Sequence, residues 1–303
     1  MTTRTGLALA LLLFLGGSAA ADAAQDVIEP DRPDLTTGSH LVAPGIVQFE
    51  VGFLYTRPFE GRRVSGSPIT LRVGVRDWLE ARAGFDGLLV AADADGRTTG
   101  IGNVQLGAKI RVWPDSHGQG IFSINPQLTL GTASPEKGFG SGQSDFAIAA
   151  LFGFDLGPRG HLDLNYGLGA IGGGEGEARF AQHLASASAS VSVGDRWNPY
   201  FEMFSISRES PDATPNVSID TGVLFTLKSR LVLDGGVAFG LSDAAPAFAA
   251  FGGLSIALGG LSSAAQQTRP LRTAQTIARR RRDADTRHGQ GFPIEQHSRN
   301  RTE

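Results

Sequence analysis

The feature that most constrains the fold of this chain is an alternation of apolar and polar residues, which recurs about twelve times between residues 45 and 259. The clearest copy covers residues 185–193, which read ASASASVSV. Because successive side chains of a β-strand point to opposite faces, this copy places Ala and Val on one face and Ser on the other. Each run ends at a cluster of turn residues. The pattern predicts an all-β fold, an antiparallel transmembrane β-barrel with one face toward lipid and the other toward water.

The runs and their turn residues predict twelve strands. These cover residues 45–56, 67–76, 78–87, 101–113, 119–131, 144–156, 160–171, 183–194, 198–207, 217–227, 229–241 and 247–258. The connections alternate between short ones and longer ones of the kind found at 88–100 and 132–143. Short periplasmic turns and longer outer loops are typical of outer-membrane barrels, so both termini of the chain are predicted to lie in the periplasm.

A soluble β-sandwich is the main alternative, because sandwiches also alternate polar and apolar residues and turn every 8 to 12 residues. Against it, the predicted strands reach about 10 residues, the length that a tilted membrane strand requires. The 41 glycines also favour a bent and twisted barrel wall over helices. The hydrophobic fraction of 41% is no guide here, since a barrel conceals its apolar band in alternation.

The composition of the two ends predicts export. Residues 1–23 have the positive start, short apolar stretch and small-x-small site of a signal peptide, and a membrane anchor would need about 20 apolar residues. Residues 24–44 form a polar, Pro-rich leader, residues 45–259 the barrel, and residues 260–303 a basic tail predicted to be disordered. The predicted location is the bacterial outer membrane.

Motifs that could carry catalysis do not fit their required contexts. A G-x-G-x-x-G match at residues 167–172 precedes a glycine-rich loop, whereas a dinucleotide site needs a helix there. Residues 93–96 read DADG, as at the start of a calcium loop, but the closing glutamate is missing. The histidines lack helical metal spacing, and there is no cysteine. We therefore expect no catalytic site, cofactor or metal, and no nucleic-acid partner.

Strand parity predicts charged residues on the inner, lumen-lining face of the barrel. Strands 1 to 4 of the prediction contribute Glu50, Arg72, Arg76, Glu80, Arg82, Asp86, Lys109 and Arg111. Strands 6 to 11 contribute Asp145, Asp155, Asp163, Glu202, Asp220 and Asp234. Cations therefore cluster on one side and acids on the other. These charges either pair and close the lumen, or create a transverse field across an open channel.

The leader is a candidate plug. Residues 29–34 read EPDRPD, and Asp31, Arg32 and Asp34 are the predicted plug residues. If the leader folds back into the periplasmic mouth, Arg32 meets the acidic side of the wall. The alternative is a solvated tether outside the barrel.

Two motifs carry a family resemblance. The leader motif DRPD at residues 31–34 is followed by PGIVQFEVG at residues 44–52, which fits the pattern P-G-x-x-Q-x-E-x-G. Over about residues 29 to 259 the chain resembles a family of bacterial outer-membrane barrels labelled as transporters of the phenol-degradation meta-pathway. One departure is the last strand, which ends LSIAL at residues 254–258 without the terminal aromatic that assembly machinery reads in many such barrels.

The resemblance implies a channel for passive passage of small, hydrophobic or aromatic molecules. The implied partners are outer-membrane lipid, small solutes and the outer-membrane assembly machinery. The alternative is a closed barrel with a structural or surface-interaction role and no transport activity. A barrel-embedded hydrolase would require a lipid-facing nucleophile with its histidine, which the sequence pattern does not provide.

Overall fold

The computed structural model describes residues 28–33, 35–59, 61–113, 120–174 and 176–259, so the predicted signal peptide, the basic tail and Asp34 lie outside the described residues. The first half forms eight strands: β1 (Ile46–Arg57), β2 (Arg63–Gly66), β3 (Ile69–Arg76), β4 (Leu79–Phe85), β5 (Leu88–Ala92), β6 (Arg97–Ile101), β7 (Val104–Trp113) and β8 (Ile121–Leu130). The second half forms seven: β9 (Asp145–Leu156), β10 (Gly160–Ile171), β11 (Phe180–Val191), β12 (Trp197–Ile206), β13 (Asn216–Lys228), β14 (Leu231–Gly240) and β15 (Phe248–Gly259).

Twelve of these strands close into one antiparallel barrel: β1, β3, β4 and β7 to β15. The barrel closes because β1 and β15 pair along their whole lengths, from Ile46 opposite Gly259 to Arg57 opposite Phe248. The predicted twelve-stranded antiparallel barrel is therefore confirmed. Among the described residues, no helix has the length and apolar character to cross a membrane.

Burial in this barrel is inverted relative to a soluble protein. Charged side chains are buried inside it, with Arg72 and Glu50 each 1% exposed. Large apolar side chains cover the outside: Phe53, Leu71, Leu106, Leu128, Phe146, Ile148, Phe152, Leu164, Phe201, Met203, Leu233 and Leu254. A soluble sandwich would have to expose this apolar band to water, which monomeric soluble proteins avoid. The pattern fits a lipid-facing exterior around a polar interior.

All three tryptophans mark one end of the barrel. Trp78 directly precedes β4, Trp113 ends β7 and Trp197 begins β12, and each is more than half exposed. This is also the end at which β1 begins and β15 finishes. Because Trp favours the membrane–water interface, the three rings define a boundary of the membrane. Short turns lie at the same end, so we assign it to the periplasm.

At the opposite, extracellular end, the sheet extends beyond the barrel. β2, β5 and β6 continue the lines of β3, β4 and β7 and pair only with one another and the end of β1. β2, β5 and all of β6 except Ile101 fall within 58–66 and 88–100, which the sequence predicted as loops. Short breaks at 67–68 and 86–87 separate these strands from β3 and β4, with Gly87 at a φ of +79°. Phe139, from the connection between β8 and β9, is 4% exposed and packs with Ala91 against this extension.

Candidate functional site: the lumen and its leader

The described part of the leader, residues 28–33 and 35–44, lies inside the periplasmic half of the barrel. It starts where the Ile28 amide donates to the carbonyl of Ser229, in the turn between β13 and β14, at 3.0 Å. It ends where the Gly45 amide donates to Gly74 on β3 at 2.9 Å. Between these points its side chains and backbone contact strands from β1 round to β15. The leader therefore crosses the lumen.

Asp31 of the leader lies among three cations of the wall. Its carboxylate is 3.3 Å from Arg72 Nη1 and 3.0 Å from Lys109 Nζ, and it accepts a hydrogen bond from Arg82 Nη1. Burial alone would raise the pKa of the Asp31 carboxyl, but the charges of Arg72, Lys109 and Arg82 outweigh it and hold this pKa well below its usual value. Asp31 is therefore a carboxylate at neutral pH.

Two wall acids complete this cluster. Arg72 Nε donates to Glu80 at 2.8 Å, and Arg72 Nη1 donates to Glu50 at 3.1 Å. Arg82 Nη1 also donates to Glu80, at 2.8 Å. With Asp31 in place, three carboxylates face three cations, so the charges of this group of six residues balance. Buried charges are tolerated only when they are paired in this way.

The opposite side of the lumen is acidic, and the leader supplies it with donors. Arg32 Nη2 is 3.3 Å from Asp234 Oδ1 on β14. Glu202 on β12 is fully buried and accepts hydrogen bonds from the Leu35 and Thr36 amides at 2.9 and 2.6 Å. The leader thus presents Asp31 to the cationic side of the wall, and Arg32 with backbone N–H groups to the acidic side.

Glycines in the wall make room for the leader. Gly52 and Gly253 lie opposite each other on β1 and β15, and a side chain at either would collide with the Arg32 guanidinium. A Cβ on Gly153 would meet Ser39, and one on Gly74 would overlap the Ala43 backbone carbonyl. The leader and the inner wall are therefore complementary in shape as well as in charge.

Other predicted lumen residues lie away from this cluster. Arg76 is exposed at the periplasmic end of β3, and the Asp155 carboxylate at the same end of the barrel is 2.9 Å from His161 Nδ1. Asp145 accepts a hydrogen bond from the Gly172 amide at the extracellular end, at 2.7 Å. Asp86 lies in the break between β4 and β5, where it accepts hydrogen bonds from the backbone amide of Asn103 and the side chain of Gln105.

Three further residues complete the account of the predicted lumen set. Asp163 accepts a hydrogen bond from the Ser39 amide at 3.2 Å. Asp220 is buried directly opposite Glu202 in the pairing of β12 and β13. Arg111 is half-buried near the periplasmic end of β7. Within the described part of the chain, no three His, Asp or Glu side chains are placed to hold a metal ion.

The extracellular half of the lumen is apolar over part of its wall, which the search for charges missed. Leu184 and Ile206 lie opposite each other on β11 and β12, on the same inward parity as Ser186 and Glu202. On the neighbouring part of the wall, the Phe251 ring covers Gly236. In the sequence, the change from Ser186 to Leu184 at inward positions of one strand already indicated an apolar part of the lumen.

A closed barrel with a lipid-facing apolar exterior and a charged, leader-filled interior defines an outer-membrane β-barrel. The chain belongs to the family described as "Putative MetA-pathway of phenol degradation", whose model matches residues 30–258. The family predicted from the leader and first-strand motifs is therefore confirmed. Among curated proteins, no relative matches the chain.

Solved structures that resemble the chain include outer-membrane channels and porins. An outer membrane channel from Pseudomonas putida F1 superposes with a TM-score of 0.58 at 13% identity, covering 76% of this chain and all of that one. The NanC porin has a TM-score of 0.47 at 7% identity, covering 71% of this chain and 100% of its own. The CymD monoaromatic hydrocarbon channel has a TM-score of 0.38 at 10% identity, covering 73% of this chain and 90% of its own. The first of these supports the barrel fold.

Proposed function

We propose that this protein is a passive outer-membrane channel for small hydrophobic or aromatic molecules, closed in its resting state by the leader. The observation that carries the proposal is the division of the lumen. Its extracellular half presents apolar side chains such as Leu184 and Phe251, and its periplasmic half is filled by the leader. An apolar lining favours binding of solutes that are weakly hydrated.

Passage in this proposal requires the leader to move. Its polar contacts with the wall are hydrogen bonds and ion pairs, which water can replace when the leader swings toward the periplasm. The apolar outer lumen first concentrates the solute, and the concentration gradient then drives it through the opened lower half. Outer-membrane lipid surrounds the barrel, and the assembly machinery would insert it.

A closed structural barrel is the second candidate. It is favoured by the balance of charge around Asp31, where three buried carboxylates face three cations. Such a cluster is stable without any solute. In that case the leader is a permanent part of the core, and the extracellular extension of β2, β5 and β6 is the functional surface.

An enzymatic role has weaker support. A hydrolase on the lipid face would need a serine activated by an outward-facing histidine. His183 has the outward parity of Ala185, but its Nδ1 is hydrogen-bonded to the Tyr166 hydroxyl at 2.8 Å. That pairing suits an interfacial anchor near the extracellular boundary, because Tyr and His both have an apolar body and a polar tip.

Single-channel conductance in a planar bilayer tests the channel proposal directly. We compare the full chain with a variant lacking residues 25–40, which removes Asp31, Arg32 and Thr36. The full chain is expected to open rarely and to a small conductance, and the deletion variant to show a larger, steady conductance that toluene or a medium-chain alkanol blocks. Equal and silent recordings from both proteins, with heat-modifiable gel mobility showing folded barrels, would establish the closed structural barrel instead.

A further inference from the structure

A cavity of about 200 Å³ lies in the wall beside the leader, next to Arg82. Its lining includes Thr70, Arg82, Gln105 and Gln127, which are inward positions of β3, β4, β7 and β8. The volume is below that of pockets for drug-sized ligands, which are about 300 to 1,000 Å³, so the space suits a small molecule or the polar end of a longer one.

Arg82 separates this cavity from the leader. Both of its hydrogen bonds among the described residues use Nη1, one to Asp31 and one to Glu80 at 2.8 Å. Its side chain is 13% exposed, whereas Arg72 and Lys109 are 1% and 0% exposed. Arg82 is thus the cation of the cluster that a molecule in the lumen can reach, and its Nε and Nη2 are the donors left for it.

Two other donors of the cavity have no partner among the described residues. In the described part of the chain, neither the Thr70 hydroxyl nor the Gln127 amide makes a hydrogen bond, whereas the Asp86 carboxylate is already occupied by Asn103 and Gln105. A guanidinium, an amide N–H and a hydroxyl directed at one small space fit a carboxylate, which accepts two parallel bonds from arginine.

We propose that the cavity binds the carboxylate of an amphipathic monocarboxylic acid through Arg82 Nε and Nη2, where it competes with the Asp31 carboxylate for the positive charge of Arg82 and so releases the leader. This inference rests on the proposed channel function and names a substrate class for it. Without Asp31, the three cations Arg72, Arg82 and Lys109 face only Glu50 and Glu80. The carboxylate of the solute restores the balance, and its apolar body lies toward the apolar half of the lumen.

Thiol labelling measures leader release without relying on transport. Ser39 belongs to the leader and is fully buried against the wall, and the chain contains no cysteine, so a Ser39→Cys variant of the full chain has a single protected thiol. Phenylacetate is expected to speed its reaction with a water-soluble maleimide about tenfold, the effect of losing one charged hydrogen bond, whereas 2-phenylethanol, of matched shape and no charge, leaves the rate unchanged. Equal rates with the two compounds would overturn the proposal.

Variants of Arg82 identify the site. Arg82→Gln in the Ser39→Cys background should remove the response to phenylacetate, and Arg82→Lys should keep part of it. Arg179→Gln is the matched control, because Arg179 is an exposed cation at the extracellular end, 3.8 Å from Asp145. A response that survives Arg82→Gln, or disappears with Arg179→Gln, contradicts the assignment.

The Arg82→Gln substitution could itself release the leader, which would hide any response to phenylacetate in the labelling experiment. Calorimetric titration measures the affinity for phenylacetate directly. Asp31→Asn removes the competing carboxylate, so phenylacetate should bind about tenfold more tightly than to the unmodified chain, and the double variant with Arg82→Gln should lose this gain. An affinity unaffected by Asp31→Asn excludes competition. If the protein fails these tests but toluene still blocks its conductance, the channel proposal stands. Only the proposal that the cavity binds a carboxylate is then rejected.

Discussion

The two halves of the lumen are built on different principles. The periplasmic half contains buried charges, and each of its main charged groups is compensated by the leader or by a neighbouring strand, as Glu202 is by Thr36. The extracellular half has apolar inward positions on β11, β12 and β15, such as Leu184 and Phe251, and the described residues of the leader lie outside it. The periplasmic half is specific for the leader, and the extracellular half is suited to apolar solutes of many shapes.

The difference shows how a single barrel combines closure with permissive binding. Ion pairs and hydrogen bonds are directional, so they hold one segment in one register. Apolar contact is non-directional and roughly proportional to area, so it accepts many solutes weakly. Changes in the lower half should therefore alter closure, and changes in the upper half should alter solute affinity.

The largest effect is expected from fixing the leader to the wall. A Cβ built on Gly153 lies 3.1 Å from the Ser39 Cβ, about 0.7 Å closer than the mean separation in a disulfide, so a small shift of the leader would allow the bridge. The double variant Ser39→Cys, Gly153→Cys should lose all solute-dependent conductance when oxidised and recover it on reduction. Each single cysteine variant is the control, since neither can form the bridge. Conductance in the oxidised protein would show that the leader does not close the channel.

Removing one cation of the lower half should be the next largest effect. Arg72→Met leaves Glu50 and Glu80 buried without their main partner, which typically costs about 3 to 5 kcal/mol in the free energy of unfolding. Arg76→Met, on the same strand but exposed, should change it by no more than about 0.5 kcal/mol. Urea unfolding of the refolded barrel measures both. Equal destabilisation would mean that burial and pairing do not distinguish the two arginines.

A smaller effect is expected from one methyl group under the leader. Gly74→Ala forces the Ala43 backbone away from β3, so the leader should detach more often and the open probability should rise about tenfold. Gly167→Ala is the matched control, because a Cβ there meets Leu184 at an ordinary 3.5 Å and no part of the leader. An open probability that rises equally in both variants would point to a general loosening of the barrel.

In the upper half, a pair of phenylalanines on β12 provides the comparison. Phe204 has the inward parity of Glu202, whereas Phe201 is 54% exposed on the lipid face. Phe204→Ala should raise the concentration of toluene that half-blocks the channel by a few-fold, because about 1 kcal/mol of apolar contact is lost. Phe201→Ala should leave it unchanged. The same shift in both variants would place the solute outside the predicted lumen.

The smallest effect is expected from acid. The pKa of Asp31 is held well below its usual value, so its contribution to leader docking is complete above the usual value and is lost only as the pH falls through the lowered one. Between about pH 7 and about pH 5 the resting conductance should therefore stay constant. A rise within that interval would mean that Asp31 is not the group that holds the leader to the cationic side.

Alternation was sufficient to predict the barrel, because strand parity and turn residues are local properties of the sequence. The twelve strands and the family are confirmed. The extension by β2, β5 and β6 was missed, because short strands at 58–66 and 88–100 contain turn residues and were interpreted as loops.

The contacts between the leader and the lumen wall could not be predicted from alternation. Parity indicates that Glu80 and Lys109 face inward, but it carries no information on which residue of the leader each one meets. The position of the Arg82 cavity depends on strand breaks at Pro68 and Gly87, and on how Gln105 covers Gly84. These are three-dimensional packing results, and no local pattern of residues predicts them.

The reach of the leader has a consequence for the order of assembly. Its residues precede every strand, yet Arg32 meets Asp234, 202 positions later, and Ser39 meets Asp163, 124 positions later. Neither contact can form until β10 and β14 are in place, and contacts between such distant residues form late in folding. The leader, the first described segment of the chain, is therefore the last to reach its final position. It can dock only after the barrel wall is complete.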